Sequence, residues 1–281
     1  MFSLAEFLSR RRRPALMGIV NATGDSFSEG AASAPESALD RALRLADDGA
    51  DLLDIGGEST RPGSRAVTEE EELDRVLPVL KAVKRARPGI VCSVDTRHAA
   101  VAAAVLEAGA EIINDVSMLR TAPEIAALTA RRGAALILSH SRGTPETMQS
   151  PEYLIYPDGV AAGVRAELAA AERLARAAGV KEENLLLDPG FGFAKTPEQN
   201  WELAAHLAAV APPARLLIGV SRKSFLGRLT GETDPAARGS ETLALELFCA
   251  ECGVGMIRTH DVRALVRALS VRNQLREVAG A

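Results

Sequence analysis

Short apolar runs recur along the chain, and a longer stretch with helical periodicity follows each of them. The runs are rich in Ile, Leu and Val and do not alternate with polar residues, which is typical of strands buried on both faces of a parallel sheet. They lie at residues 15–20, 52–55, 90–94, 111–113, 134–138, 185–187, 215–220 and 255–257. The pattern therefore predicts eight parallel strands.

The segments between the runs carry helix signals. Apolar residues recur at the spacing that gives a helix one apolar face, as at Leu73, Val76, Leu77 and Leu80. Capping boxes are predicted at Ser33, Thr68, Thr121 and Thr196. Strand–helix units that close on themselves make an α/β fold of the TIM (β/α)8 type. We expect a single barrel domain over residues 14–281 and an N-terminal tail over residues 1–13 that caps the barrel bottom.

Composition and charge narrow the range of functions. The 281 residues are 47% hydrophobic with a formal net charge of -4, so the chain can bury a large core and lacks a general nucleic-acid signature. The apolar runs are shorter than the roughly 18 residues of a membrane span, and no secretory signal pattern opens the chain. Its three cysteines are Cys92, Cys249 and Cys252, which favours a reducing compartment. We expect a cytoplasmic protein without nucleic-acid or membrane partners.

Polar side chains gather where the predicted strands end. The set comprises Asn21, Asp54, Glu58, Asp95, Asn114, Asp115, His140, Asp188, Ser221, Lys223, Arg258 and His260. The C-terminal ends of barrel strands form the face that carries active sites. The block GGESTRPGS at residues 56–64 follows one strand, and its glycines, hydroxyls and arginine are typical of an anion-binding loop. The pattern predicts one site at this face.

Eight segments, taken in order, resemble dihydropteroate synthases, which join 6-hydroxymethyl-7,8-dihydropterin pyrophosphate to p-aminobenzoate in folate biosynthesis. The segments are MGIVNATGDSFS, LDIGGESTRPG, SVDT, INDVS, HSRGTPETMQ, LDPGFGF, GVSRKSFLG and GMIRTHDV. The likeness runs from about Met17 to about Val262. It implies a (β/α)8 barrel, a homodimer, and a transferase that makes 7,8-dihydropteroate and pyrophosphate. It also implies that the carbon–oxygen bond breaks first, which leaves a cationic pterin.

A pterin presents paired N–H donors beside a carbonyl and ring nitrogens, so it calls for a carboxylate, an amide and a cation. Asp188, Asn114 and Lys223 supply those groups, and the resemblance implies that they bind the pterin with Asp95. A structural alternative exists for two of them. Asp188 can cap the turn before Pro189, and Asn114 can satisfy backbone groups, as we expect of Asp115.

The pyrophosphate end of the substrate calls for cations. Arg258 and His260 are two residues apart on one strand, so both can point at one anion. The resemblance implies that Asn21 contacts a Mg²⁺ ion and that two loops close over the substrate. It places Asp25, Thr60 and Arg61 at the reacting centre. Taken without its motif, Arg61 is an exposed loop arginine.

Catalytic roles implied by the resemblance fall on Asp95, Lys223, Arg61, Arg258 and His260. The cations and Mg²⁺ would stabilise the leaving anion, and Asp95 the cationic pterin. The implied p-aminobenzoate contacts are Pro62, Phe191, Ser221 and Lys223. Phe191 has a second interpretation as a core aromatic, although the two glycines beside it favour an exposed loop.

The chain departs from the family's usual pattern in two places. Gly24 stands where proline is usual, and Ser139 stands where methionine is common, which alters the apolar floor expected under a pterin. Two other functions share part of the pattern. A pterin-dependent methyltransferase would need the pterin pocket but neither the ESTRPG and SRKS segments nor the Arg258 and His260 pair. A catalytically weak paralogue would keep pterin binding alone.

Overall fold

The computed structural model describes residues 2–22, 36–59, 64 and 66–280. Its eight strands are β1 Ala15–Asn21, β2 Leu52–Gly56, β3 Val91–Asp95, β4 Ile112–Asp115, β5 Ala135–Ser139, β6 Leu185–Asp188, β7 Leu217–Ile218 and β8 Met256–Thr259. Each coincides with one of the predicted apolar runs. The prediction of eight strands is therefore confirmed.

The strands form one parallel sheet in the order β6-β5-β4-β3-β2-β1-β8-β7. A single parallel bridge between Leu187 and Leu216 joins the two ends of this sheet and closes the barrel. Strand β7 has only two residues. Its start is delayed because a 3₁₀ turn at Pro213–Arg215 leads into it, and the N–H groups of Arg215 and Leu216 donate to the carbonyls of Pro212 and Pro213 within that turn. The predicted TIM barrel is confirmed.

Helices cover the outside of the barrel. They are α1 Leu4–Ser9, α2 Ala38–Asp47, α3 Glu69–Ala86, α4 Ala99–Glu107, α5 Glu124–Arg132, α6 Val160–Ala177, α7 Pro197–Ala205, α8 Leu207–Val210, α9 Ser224–Thr230, α10 Gly239–Glu251 and α11 Val262–Ala279. None of these described helices is long and apolar enough to cross a membrane.

Two of the predicted capping boxes are confirmed. At Thr68 and at Thr196 the hydroxyl accepts a hydrogen bond from the third helical N–H, and the side chain at that third position accepts one from the backbone N–H of the cap residue. The prediction of a capping box at Thr121 is wrong, because α5 begins after Pro123 and no side chain among the described residues caps it. Ser33 lies outside the described residues.

The barrel has an apolar interior and an apolar outer layer. The outer layer packs strands against helices, while the interior stacks inward-pointing residues near the bottom. The N-terminal segment joins the interior there, because Leu4 is buried and its N–H donates to Oδ1 of Asn184 at 2.9 Å. Residues of α1 therefore pack across the bottom and leave the other end of the barrel for chemistry.

Leu4→Ala should lower the free energy of unfolding by about 2–4 kcal/mol, because it removes a fully buried side chain from this packing. Pterin affinity should not change, since Leu4 lies at the N-terminal ends of the strands. Urea denaturation followed by Trp201 fluorescence measures the effect. The matched control is Glu6→Ala on the exposed face of the same helix. Equal stability of the two variants would show that α1 contributes nothing to the barrel.

The three cysteines are free thiols in the described part of the chain. Cys92 and Cys249 are buried, and burial raises the pKa of Cys92 to about 12. A thiol that stays protonated is a poor nucleophile and a poor metal ligand. These two cysteines therefore act as small core residues.

Candidate active site

A network of charged side chains spans the mouth of the barrel. Asp54 at β2 is its centre, because its Oδ2 accepts hydrogen bonds from Nε of Arg258 at 2.6 Å and from Nδ2 of Asn114 at 3.2 Å. The Nη2 of Arg258 also donates to Oδ2 of Asp95 at 3.2 Å. Strand register explains the gathering, since Asp95 pairs directly with Asn114. The structure thus brings together residues from four strands that sequence reasoning assigned to one site.

Two carboxylates share one guanidinium in this network. Asp54 is fully buried, and its Oδ1 has no hydrogen-bond partner among the described residues. Burial and the neighbouring Asp54 raise the pKa of Asp95, and Arg258 opposes that rise. Burial would lower the pKa of Arg258, but the charges of Asp54 and Asp95 raise it instead. The guanidinium therefore stays charged and balances part of the negative charge at the mouth.

The sequence places Asp54 among the polar residues at the strand ends but predicts no specific contact for it. The available signal was an acid within the apolar run Leu52-Leu53-Asp54-Ile55, where a buried carboxylate requires a partner. That partner is 204 residues away along the chain.

Arg258 and His260 have different partners in this structure. Arg258 turns to the two carboxylates. Both the backbone N–H of His260 at 3.2 Å and its ring Nδ1 at 2.9 Å hydrogen bond with the hydroxyl of Ser221 at the end of β7. Their convergence on one anion stays a prediction.

Asn114 and Asp188 lie on either side of Ser139. The Ser139 hydroxyl is 3.2 Å from Oδ1 of Asn114 and 3.5 Å from Oδ2 of Asp188. The amide of Asn114 is thereby oriented, with its oxygen toward Ser139 and its nitrogen toward Asp54. The departure at Ser139 makes this part of the floor polar, as the sequence indicated.

Asp188 has the structural role that the sequence allowed, and its contact with a pterin stays a prediction. Its Oδ1 accepts a hydrogen bond from the N–H of Gly190 at 2.8 Å, which caps the turn after β6. Its Oδ2 faces Ser139. Burial raises the pKa of Asp188, while the Gly190 N–H and the charges of Lys223, Arg258 and Lys195 oppose the rise. Asp115, by contrast, uses both carboxylate oxygens within its own turn. They accept hydrogen bonds from the N–H and hydroxyl of Ser117 and from the N–H of Leu119.

The structure does not place Phe191 on the wall of the site. Its ring is 1% exposed and stacks on Phe225, so the exposed-loop expectation is wrong and the core-aromatic interpretation is confirmed. Gly190 and Gly192 have positive φ values, so the backbone turns between the two aromatic residues and Phe193 points away from Phe191. The ring of Phe193 lies 3.9 Å from Nζ of Lys223. Phe193 is therefore the aromatic beside the predicted binding lysine, and sequence reasoning missed it.

Several predicted contacts fall on the two segments that the sequence predicts as active-site loops. Asn21 is exposed at the end of β1. The other residues singled out in these segments, namely Gly24, Asp25, Thr60, Arg61 and Pro62, lie outside the described residues. Next to the second loop, Glu58 binds the guanidinium of Arg97 at 2.9 and 3.0 Å and accepts the N–H of Val67 at 3.3 Å. This acid therefore ties together the residues on both sides of the loop.

A cavity of about 790 Å³ lies at the opposite end of the barrel, against α1, α10 and α11. Arginines line it, but most of them are paired with acids, as Arg13 is with Asp51 and Arg215 with Glu172. Barrel chemistry takes place at the C-terminal face, so we assign the site to the network at the mouth.

Comparisons with known proteins agree with this assignment. A family model described as pterin binding enzyme matches residues 17–260. The dihydropteroate synthase of Mycobacterium leprae is 42% identical over 265 residues, which cover 91% of each chain. A solved structure of Burkholderia cenocepacia dihydropteroate synthase, complexed with 7,8-dihydropteroate, matches with a TM-score of 0.84 and 42% identity over 95% of this chain and 93% of that one.

A second solved structure gives the same result. Xanthomonas albilineans dihydropteroate synthase with 4-aminobenzoic acid matches with a TM-score of 0.84 and 41% identity over 94% of both chains. The likeness spans the whole barrel and includes each strand end that contributes to the site. The chain therefore belongs to the pterin binding enzyme family and, within it, to the dihydropteroate synthases.

Proposed function

We propose that the chain condenses 6-hydroxymethyl-7,8-dihydropterin pyrophosphate with p-aminobenzoate and releases 7,8-dihydropteroate and pyrophosphate. The observation that carries this proposal is the grouping of Asp188, Asn114 and Ser139 beside the Asp54, Asp95 and Arg258 network at one end of the barrel. The first group offers hydrogen bonds to a heterocycle, and the second offers charge to a reacting centre. The relatives solved with dihydropteroate and with 4-aminobenzoic acid support the same reaction.

The pterin would bind through its donor edge. Oδ2 of Asp188 would accept the paired N–H groups, and the oriented amide of Asn114 would meet the ring nitrogens. Lys223, whose charge acts on Asp188, would lie on the carbonyl side. A buried carboxylate that is already held by one backbone N–H needs little rearrangement to take this role.

The bond that breaks joins the pterin's exocyclic methylene to the pyrophosphate oxygen. Its electron pair leaves with the pyrophosphate, and the amine of p-aminobenzoate then attacks the methylene and loses a proton. Asp95 would stabilise the cationic pterin, while Arg258, His260 and the loop residue Arg61 would stabilise the leaving anion. Loss of one such contact typically raises the barrier by roughly 3 kcal/mol.

Asn21 fits a role as a magnesium contact. It is exposed at the end of β1, on the face of the barrel that carries the site. An amide oxygen is a suitable single protein ligand for a Mg²⁺ ion that keeps most of its waters. Bound there with the substrate pyrophosphate, the ion would neutralise the charge that develops on the leaving group.

p-Aminobenzoate would pack against Phe193, not Phe191, because Phe193 lies beside Lys223. Ser221 and Lys223 would face its carboxylate end, and Pro62 in the second loop would complete the pocket. The ammonium against the ring of Phe193 forms a cation–π contact that holds both side chains in place.

Turnover of the pterin pyrophosphate with p-aminobenzoate tests the proposed function directly. A dihydropteroate synthase forms dihydropteroate and pyrophosphate in equal amounts and needs both substrates. Pterin binding without turnover would assign the chain to the weak-paralogue class, and transfer of a methyl group would assign it to the methyltransferases.

p-Aminobenzoate binding should depend on the anion, because its pocket is completed by the loop that carries Thr60, Arg61 and Pro62. Calorimetry should show little heat with p-aminobenzoate alone, and at least about tenfold tighter binding once Mg²⁺ and pyrophosphate are present. Arg61→Ala should weaken this coupling more than it weakens pterin binding, whereas Arg85→Ala on the exposed face of α3 should not affect it. Equal affinity with and without the anion would mean that the pocket is preformed.

We also propose that the chain forms a homodimer in the cytoplasm. Val271, Leu275 and Val278 are exposed and lie along one face of α11, which suits burial against a second copy. Free thiols suit a reducing compartment. Light scattering would test the dimer, and a monomer at all concentrations would contradict it.

A further inference from the structure

Lys195 is a buried lysine in the turn between β6 and α7, and only 3% of it is exposed. Its Nζ donates hydrogen bonds to the carbonyl oxygens of Gly190 at 2.9 Å and Phe193 at 3.0 Å, and to Nδ1 of His140 at 3.0 Å. An ammonium has three N–H donors, so these acceptors satisfy it completely. The side chain is therefore built into the turn as a cation.

Gly190 connects Lys195 to Asp188. Its N–H donates to Oδ1 of Asp188 while its carbonyl accepts from Lys195. The φ of Gly190 is +71°, and a Cβ there would lie 1.8 Å from the carbonyl oxygen of His140. The backbone of this turn is thus pressed against the end of β5 on one side and tied to the ammonium on the other. The arrangement leaves Oδ2 of Asp188 toward Ser139 and the pocket.

We propose that Lys195 is a positioning residue for the reaction. It holds the 189–194 turn so that Asp188 presents Oδ2 to the pterin, and its buried charge keeps Asp188 ionised. This inference rests on the proposed contact between Asp188 and the pterin. It adds a residue that makes no contact with the substrate and acts through another residue.

The charges around the turn support this role. Burial lowers the pKa of Lys195 to about 7, and Asp188 opposes that shift. Lys195 is therefore protonated throughout the acid range in which a carboxyl group titrates. Its charge acts on Asp188 together with those of Lys223 and Arg258, all of which favour the ionised carboxylate.

On its far side Lys195 faces a second set of titratable groups. Burial and the charge of Lys195 lower the pKa of His140 to about 3, so its ring is neutral and accepts at Nδ1. The Nε2 of His140 lies 3.2 Å from Glu167, which also binds Arg142. Burial would raise the pKa of Glu167, but its hydrogen bonds to His140 and Arg142 lower it to about 2. Of the two carboxylates whose charge acts on Lys195, Asp188 is therefore the one that titrates at higher pH.

Lys195→Met keeps the aliphatic stem and removes the ammonium. It should weaken pterin binding about tenfold just below pH 7, where Lys195 carries its charge, and move the acid midpoint of binding upward, because a carboxylate that loses a neighbouring cation keeps its proton to higher pH. Calorimetric pterin affinity across the acid and neutral range measures both effects. Lys181→Met, at an exposed lysine whose Nζ is 3.8 Å from Glu183, is the control and should leave both unchanged.

Lys195→Gln provides a second test if the methionine variant fails to fold. Its amide keeps N–H donors for the turn but carries no charge, so the acid midpoint should move the same way with a smaller loss of affinity. A loss by the same factor at every pH, with an unmoved midpoint, would overturn the inference and leave Lys195 with a structural role alone. Wild-type protein that binds no pterin would refute the proposed function instead, so the two failures are distinguishable.

Discussion

Asp188→Asn should reduce pterin affinity by about a hundredfold to ten-thousandfold while the barrel stays folded. Two hydrogen bonds from the pterin to a charged acceptor, each worth about 1.5–3 kcal/mol, would be lost. The new amide nitrogen is a donor, so it would also oppose a pterin N–H. The hydrogen bond from Gly190 to Oδ1 can survive, because asparagine keeps one oxygen in the same place. Calorimetry with the pterin and a thermal melt measure the two outcomes separately.

Glu246→Gln is the matched control for this prediction. Glu246 is another buried carboxyl, on α10 behind β8, and burial raises its pKa to about 8. It is therefore neutral at pH 7, and an isosteric amide should change neither stability nor pterin affinity by much. Pterin affinity within a few fold of wild type in a folded Asp188→Asn protein would remove Asp188 from the pterin site.

The barrel could be predicted from sequence because its strands are buried on both faces. Each strand therefore appears in the sequence as a continuous apolar run, and no alternation of apolar and polar residues is needed to recognise it. The predicted bounds of strands and helices were wrong where a neighbouring turn determines where the element begins. Strand β7 is cut short by the proline turn before it, and the Thr121 box gives way to a turn in which the Thr121 N–H donates to the Ser117 hydroxyl.

The face of the barrel that carries the site was also predictable, since polar residues at strand ends converge once the barrel closes. The roles of individual residues were harder to predict. Phe191 and Phe193 have the same kind of neighbours in the segment GFGF, and only the positive φ values of the glycines decide which ring enters the core. Lys195 reads as a loop lysine, because two of its three partners are backbone carbonyls that a sequence does not display. Such roles depend on tertiary contacts.

Arg258→Met should destabilise the protein by about 3–5 kcal/mol at neutral pH, because it leaves Asp54 and Asp95 as buried carboxylates without their shared cation. Burial and Asp54 already raise the pKa of Asp95, and loss of the guanidinium raises it further. The folded variant then takes up a proton at higher pH than the unfolded chain does. Its stability therefore falls as the pH rises through that window, and the deficit relative to wild type should shrink in acid. Urea denaturation at several pH values measures this.

A compensating change separates charge balance from catalysis. Asp54→Asn combined with Arg258→Met removes the fully buried acid together with the cation, so most of the lost stability should return at neutral pH. Turnover should not return, and should stay at least about a hundredfold below wild type, because the cation proposed to stabilise the leaving pyrophosphate is still missing. A double variant as unstable as Arg258→Met would show that the loss came from packing of the arginine stem. Restored turnover would show that Arg258 only balances the carboxylates, and the leaving group would then depend on His260, the loop arginine and magnesium.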